Sequence, residues 1–320
     1  MFDGYYKLSR LQFLNKELFR EDFVVYRGES KLRKTCSFYG KNINWYIDTS
    51  DGMNEDLKMN EYCGRTMKII EECAGKPFII FKTSYSPIWT ADIKKMVEEN
   101  NGIVLPFFIM SYYPEFYDLF LNMREGLINK NKNTIKTIDV GFYANLDLYN
   151  CPKPQREDKR ISWLDYKLYG VGVREFTENY IIDTRQKLFE KLNDSRFIFA
   201  HSDKKRYIDY LNDSCNWKVA INPPGCGEYT PRILEHAAMG QCVVIRKTSY
   251  DNAVSWKEYI PQVDFDAENW EEELVKIIDN YQYWANRCFE YYNNVYQPKK
   301  MVDYLKTKIL YYENLCNEHR

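Results

Sequence analysis

Residues 225–236 read GCGEYTPRILEH, two glycines followed by a helix start that carries one cation, one anion and one imidazole within a turn of each other. Gly225 and Gly227 let the backbone adopt positive φ and approach a ligand closely. Thr230 is a good N-cap and Pro231 a good first helical residue. The free N–H groups of that first turn, with the helix dipole, form a site ready for an anion. Arg232 then puts a cation where the backbone is already positive, which the dipole alone disfavours. The placement makes sense if a diphosphate lies between the guanidinium and the helix end. Glu235 and His236 fall on the same side of the helix wheel as Arg232 and Met239; Ile233, Leu234, Ala237 and Ala238 fall on the other, which should pack on a sheet. Taken alone, Arg232 and Glu235 could instead be an i,i+3 surface ion pair of little energetic weight.

Familiar phosphate loops do not account for this turn. A Walker loop requires a lysine that is missing here, and a dinucleotide fingerprint requires glycine where Thr230 stands. Ligands in open α/β sheets sit at strand ends, and a carboxylate or histidine there is suited to act as a general base. Asp48 and Asp51 in YIDTSDG, and His201 at the end of RFIFAHS, are the candidates. An Asx turn or cap explains the two aspartates equally well. The nine cysteines are an odd number without a C-x-x-C pair, and the three histidines lack metal-ligand spacing. These patterns point away from a disulfide framework or a cysteine-rich zinc module. No metal or other cofactor is expected.

The elements that must position these residues alternate. Strand-like runs at 43–52, 77–86 and 102–114 are separated by helical patterns, one with Met67, Ile70 and Cys73 as its apolar spacing. Residues 127–137, LINKNKNTIKT, read as a linker, with Lys130, Lys132 and Lys136 in a solvated basic loop. The alternation resumes with a strand at 138–146, a helix over 178–194 and the strand–turn–helix–strand unit around Arg232. Strands alternating with helices predict an α/β fold of βαβ units. With 320 residues, two domains are expected. They are an N-terminal domain over 1–130 and a C-terminal domain over 138–295. A terminal helix over 296–320 packs back on the first domain. Ligands in such sheets sit outside the carboxyl ends of strands, so a cleft between the two halves would hold the site.

The formal charge of −1 argues against a protein whose main task is coating nucleic acid. No apolar run reaches the ~18 residues of a membrane span, and the N-terminus lacks a signal-peptide core. A cytoplasmic, reducing location is expected. The richness in Lys, Asn and Tyr suggests an AT-rich viral or bacterial source.

GCGEYTPRILEHAAMGQCVVI resembles the donor-site motif of GT-B glycosyltransferases, in the form found in exostosin-like and glycosyltransferase family 1-type domains. The resemblance covers about residues 138–295. It implies two Rossmann-like domains facing a central cleft, with a nucleotide diphosphate sugar held by the second. Carried over by position, Arg232 would contact the diphosphate and Glu235 the ribose hydroxyls or the sugar. Gly225, Gly227, Glu228, Tyr229 and Thr230 would line the phosphates. Many retaining relatives space two glutamates eight positions apart; Glu228 and Glu235 are seven apart, which favours inversion. His236 replaces the usual alanine, and a packed histidine is expected there. The implied reaction moves a sugar from its nucleotide to a hydroxyl, most simply on a glycan. A phage-type DNA-base glycosyltransferase and a non-catalytic nucleotide-sugar or glycan-binding module are the alternatives.

Overall fold

The computed structural model describes residues 26–27, 35–39, 43–48, 61–82, 85, 91–107, 114–144, 146, 184–202, 205–223, 231–248 and 254–318. They form two five-stranded sheets. The first has strand order β1-β2-β3-β4-β5, from β1 (Tyr26–Arg27), β2 (Thr35–Tyr39), β3 (Asn44–Asp48), β4 (Phe78–Lys82) and β5 (Gly102–Pro106). β1, β2 and β3 pair antiparallel; β3, β4 and β5 pair parallel, with Asp48 in register with Lys82. Helices α1 (Glu61–Cys73) and α2 (Ala91–Glu98) make the crossovers. The antiparallel β1–β2 pair comes from the N-terminal region, where no pattern was readable in the sequence. The inward face of α1 differs from the expected one. Thr66, Ile69 and Cys73 are buried, whereas Met67 is 53% exposed, because the helix lies rotated toward Tyr46 and Phe78 of the sheet. The Tyr46 hydroxyl meets Cys73 Sγ at 3.3 Å.

The second sheet is wholly parallel, in the order β10-β9-β8-β6-β7. Its strands are β6 (Ile138–Tyr143), β7 (Phe199–Ser202), β8 (Trp217–Asn222), β9 (Cys242–Arg246) and β10 (Gln262–Val263). Read from β7, the order is second, first, third, fourth, fifth in chain sequence. That is a doubly wound sheet whose winding reverses between β6 and β8. β8 and β9 read as continuous apolar runs because helices cover both faces. Those helices are α4 (184–193), α5 (Tyr207–Ser214), α6 (Pro231–Ala238), α7 (Trp270–Asp279) and α8 (Tyr281–Tyr291). A π-helical turn, Tyr292–Tyr296, then leads into α9 (Pro298–Glu318).

β6 and β8 lie close because Gly141 has no side chain. A methyl there would sit 1.8 Å from the Trp217 ring. Both residues are buried, so the ring cannot swing into solvent. Gly141→Ala should therefore cost about 1–3 kcal/mol as overpacking. It would be read as a lower urea midpoint at unchanged m.

The stretch 127–137 is not a linker. Helix α3 spans Pro114–Asn133, so most of the polar run is its last two turns. Two of its three lysines have partners there, and Lys132 is exposed. Lys130 donates to Asn212 Oδ1 at 2.8 Å, and Lys136 folds back onto the Asn131 carbonyl and side chain and the Cys215 carbonyl. Cations at a helix C-terminus complement its dipole. Burial pushes the Lys136 ammonium below its usual range. α3 also touches the end of α6: Arg124 Nε donates to the Ala238 carbonyl at 3.0 Å, and Asn131 Nδ2 to the Met239 and Gly240 carbonyls. At the other end of the chain, the Tyr304 hydroxyl of α9 donates to the Pro106 carbonyl of β5, and its ring packs on Phe81. No helix among the described residues is long and apolar enough to cross a membrane.

Candidate functional site

The switch point between β6 and β8 is where a ligand crevice is expected, outside the carboxyl ends of the strands. β6 ends there on Tyr143, and β8 leads through 224–230 into α6. Gly225, Gly227, Glu228, Tyr229 and Thr230 lie outside the described residues, as does Asp51. Asp48 closes β3 at the carboxyl end of the first sheet. Its strand neighbour Lys82 is buried at the same level.

α6 is short and covered on nearly every side. Residues Ile233 through Met239 are all buried. The expectation of an outward polar face holding Glu235, His236 and Met239 is thus corrected. Glu235 is 5% and His236 3% exposed. The reason is a second layer: α8, the π-helical turn and α5 pack on the side away from the sheet, so there is no solvent face to occupy. The helix stops at Gly240, whose φ of +72° suits glycine. Gln241 N–H then bonds to the His236 carbonyl and Gly240 N–H to that of Ala237, closing the last turn.

Arg232 is the exception to this burial. Its guanidinium carbon lies 5.1 Å from the centre of the Tyr143 ring, at the switch point. It makes no ion pair or hydrogen bond with a described residue, and Glu235 is not within ion-pair distance of it. The i,i+3 surface pair is therefore absent among the described residues. Tyr143 is held from behind: Tyr210 of α5 stacks on it at 4.2 Å and 24°, and its hydroxyl donates to the Lys205 carbonyl.

Two tyrosines of α5, one turn apart, meet the two buried polar residues of α6. The Tyr207 hydroxyl donates to Glu235 Oε1 at 3.0 Å. Burial raises the Glu235 carboxyl to about 7, against the opposing pull of Arg232 and of the Tyr207 hydrogen bond. Tyr210 meets His236 Nε2. His236 Nδ1 lies 2.7 Å from Gln241 Oε1, and the Gln241 amide nitrogen donates to the Ser214 and Trp217 carbonyls. That fixes the proton placement. Gln241 presents its oxygen, so Nδ1 carries the hydrogen and Nε2 accepts from Tyr210. Burial lowers His236 to about 4, keeping it neutral. It is a packed histidine with both nitrogens satisfied. The tyrosines and Gln241 went unnoticed in the sequence; the i,i+3 spacing of Tyr207 and Tyr210 was the available signal.

His201 sits at the carboxyl end of β7, one strand from the switch point. Its Nε2 lies 3.1 Å from the Ala144 carbonyl, and its ring packs between Phe142 and Phe189. A nitrogen facing a carbonyl carries the hydrogen, which leaves Nδ1 as the basic atom.

The chain matches no protein family and no curated protein. Among solved structures it is similar to WaaG, a glycosyltransferase involved in lipopolysaccharide biosynthesis, at 15% identity. The match covers 91% of this chain and 80% of that one, with a TM-score of 0.38.

Proposed function

We propose that this chain is a GT-B-type glycosyltransferase that moves a sugar from a nucleotide diphosphate sugar to a hydroxyl, with a glycan as acceptor. One observation carries the reading. At the switch point of a doubly wound parallel sheet, Arg232 presents a guanidinium with no described anionic partner, one turn from a buried carboxylate. A guanidinium beside a helix N-terminus suits the diphosphate leaving group, whose growing negative charge both would stabilise. Glu235 would accept from sugar or ribose hydroxyls, and the turn 225–230 would line the phosphates. No resident cofactor is part of the reading.

The acceptor base would come from Asp51 or Asp48 of the first sheet, or from His201. A base acts on the acceptor after the donor is bound. Asp51→Asn should therefore lower turnover at least about a hundredfold, the usual size of a general-base contribution, with donor affinity unchanged. A wild-type rate in that variant would remove Asp51 from the role.

The test of the whole reading is a melting panel with UDP, GDP, CDP and ADP and their sugars, with and without magnesium. Ligand at ~100 Kd stabilises by about 2.7 kcal/mol, roughly 4 °C for a chain of this size. A rise with one diphosphate supports the reading and names the nucleotide; no rise with any of them overturns it.

A further inference from the structure

Among the described residues, Glu235 is a carboxylate held from one side. Oε1 accepts from Tyr207, and no described residue bonds Oε2. Facing this carboxyl are Arg232 from its own helix and Tyr207 and Tyr210 from α5, with His236 next to it in the chain. Tyr292 of the π-helical turn faces Tyr207, and Tyr143 of β6 faces Tyr210. Of these groups Arg232 alone carries charge at neutral pH, since His236 is neutral and buried.

We propose that Tyr207 is a positioning residue of the site, whose hydroxyl holds Glu235 so that the second carboxylate oxygen meets the hydroxyls of the bound donor. The inference rests on the glycosyltransferase reading above. A carboxylate on a helix has several rotamers, and one hydrogen bond from a neighbouring helix selects one of them. Tyr207 is suited to that task for two reasons. Burial, reinforced by Glu235, drives its own hydroxyl far above the usual range, so it stays a donor at every working pH. Its ring is anchored on α5, the same helix whose Tyr210 supports Tyr143 under Arg232. One helix thus braces both the group proposed to meet the diphosphate and the group proposed to meet hydroxyls. A donor to the charged form also favours that form, so Tyr207 helps Glu235 to be ionised at neutral pH.

Tyr207→Phe removes one O–H and keeps the ring, and it separates this role from simple packing. The first readout needs no ligand: the carboxyl titration of Glu235 by ¹³C NMR on the full chain, assigned with Glu235→Gln. We expect the titration to move up by about one pH unit in the variant. The second readout is affinity for the nucleotide identified in the melting panel. At pH 6 it should weaken about tenfold, and at pH 9, where both proteins are ionised, it should return to near the wild-type value. An unchanged titration, or an affinity loss equal at both pH values, overturns the proposal. If the wild type binds no nucleotide at any pH, the glycosyltransferase reading fails, and the NMR titration alone decides whether Tyr207 governs Glu235.

Discussion

Arg232→Ala should lose nucleotide affinity by roughly two orders of magnitude or more while folding normally. Truncating one partner of a desolvated, hydrogen-bonded charge pair costs about 2–5 kcal/mol in binding, and each 1.4 kcal/mol is tenfold. The fold should tolerate the change. Arg232 is half-buried and makes no ion pair or hydrogen bond with a described residue; what it loses is its place over Tyr143, worth about 0.5–1 kcal/mol. The measurement is a titration of the panel's nucleotide by calorimetry, beside an unfolding curve without ligand. Full affinity in the variant would return the arginine to a surface role. A large drop in unliganded stability would mean that it serves the fold instead.

Glu235→Gln should make the unliganded protein more stable at neutral pH, and the gain should vanish in acid. The folded carboxyl titrates near 7 against an ordinary 4.5. Between those values the native chain keeps a proton that the unfolded chain has released, so stability falls as pH rises through that window. At about 1.4 kcal/mol per pH unit, the cost of this ionisable group at pH 7.5 is about 3 kcal/mol, and glutamine removes it. His236 has the opposite sign. Its folded value near 4 lies below the ordinary 6.5, so its stabilising contribution is present above 6.5 and lost as pH falls toward 4. The windows overlap, and in the wild type the two slopes largely cancel. In Glu235→Gln the histidine slope stands alone, so stability should climb from pH 4.5 to 6.5. Melting midpoints from pH 4.5 to 8 test this. A variant destabilised equally at every pH would show that the carboxylate is an ordinary structural partner of Tyr207. The same substitution should weaken nucleotide binding, because a buried acid kept at a cost in stability is expected where function needs it.

Local chemistry legible in the sequence accounts for much of the frame. Alternation of buried strand runs with helical spacing marked β3 to β9 and the helices between them except α3, since a strand covered on both faces must be apolar along its length. The pairing of Arg232 with a helix start was readable because dipole and charge act over one turn, well within sequence range. The burial of His236 was not legible, because the helix wheel put it on the outward side and its partner Tyr210 comes from α5.

Only the tertiary structure decided what surrounds α6. A helical wheel assumes one solvent face, but α5, α8 and the π-helical turn cover it, and the polar residues then had to find partners inside. Those partners, Tyr207 for Glu235 and Tyr210 with Gln241 for His236, come from elements 28, 26 and 5 residues away in sequence. The same holds at 127–137. Asparagines and lysines that look solvated instead cap α3 and bond the end of α6, because the carbonyls left open at a helix end need donors that only folding brings near. The sequence determined the alternating elements apart from β1, β2 and α3, and which charge stands at the helix start. The packing of a second layer against α6 decided which of its polar groups are buried, which are satisfied, and that Arg232 is the one left facing outward.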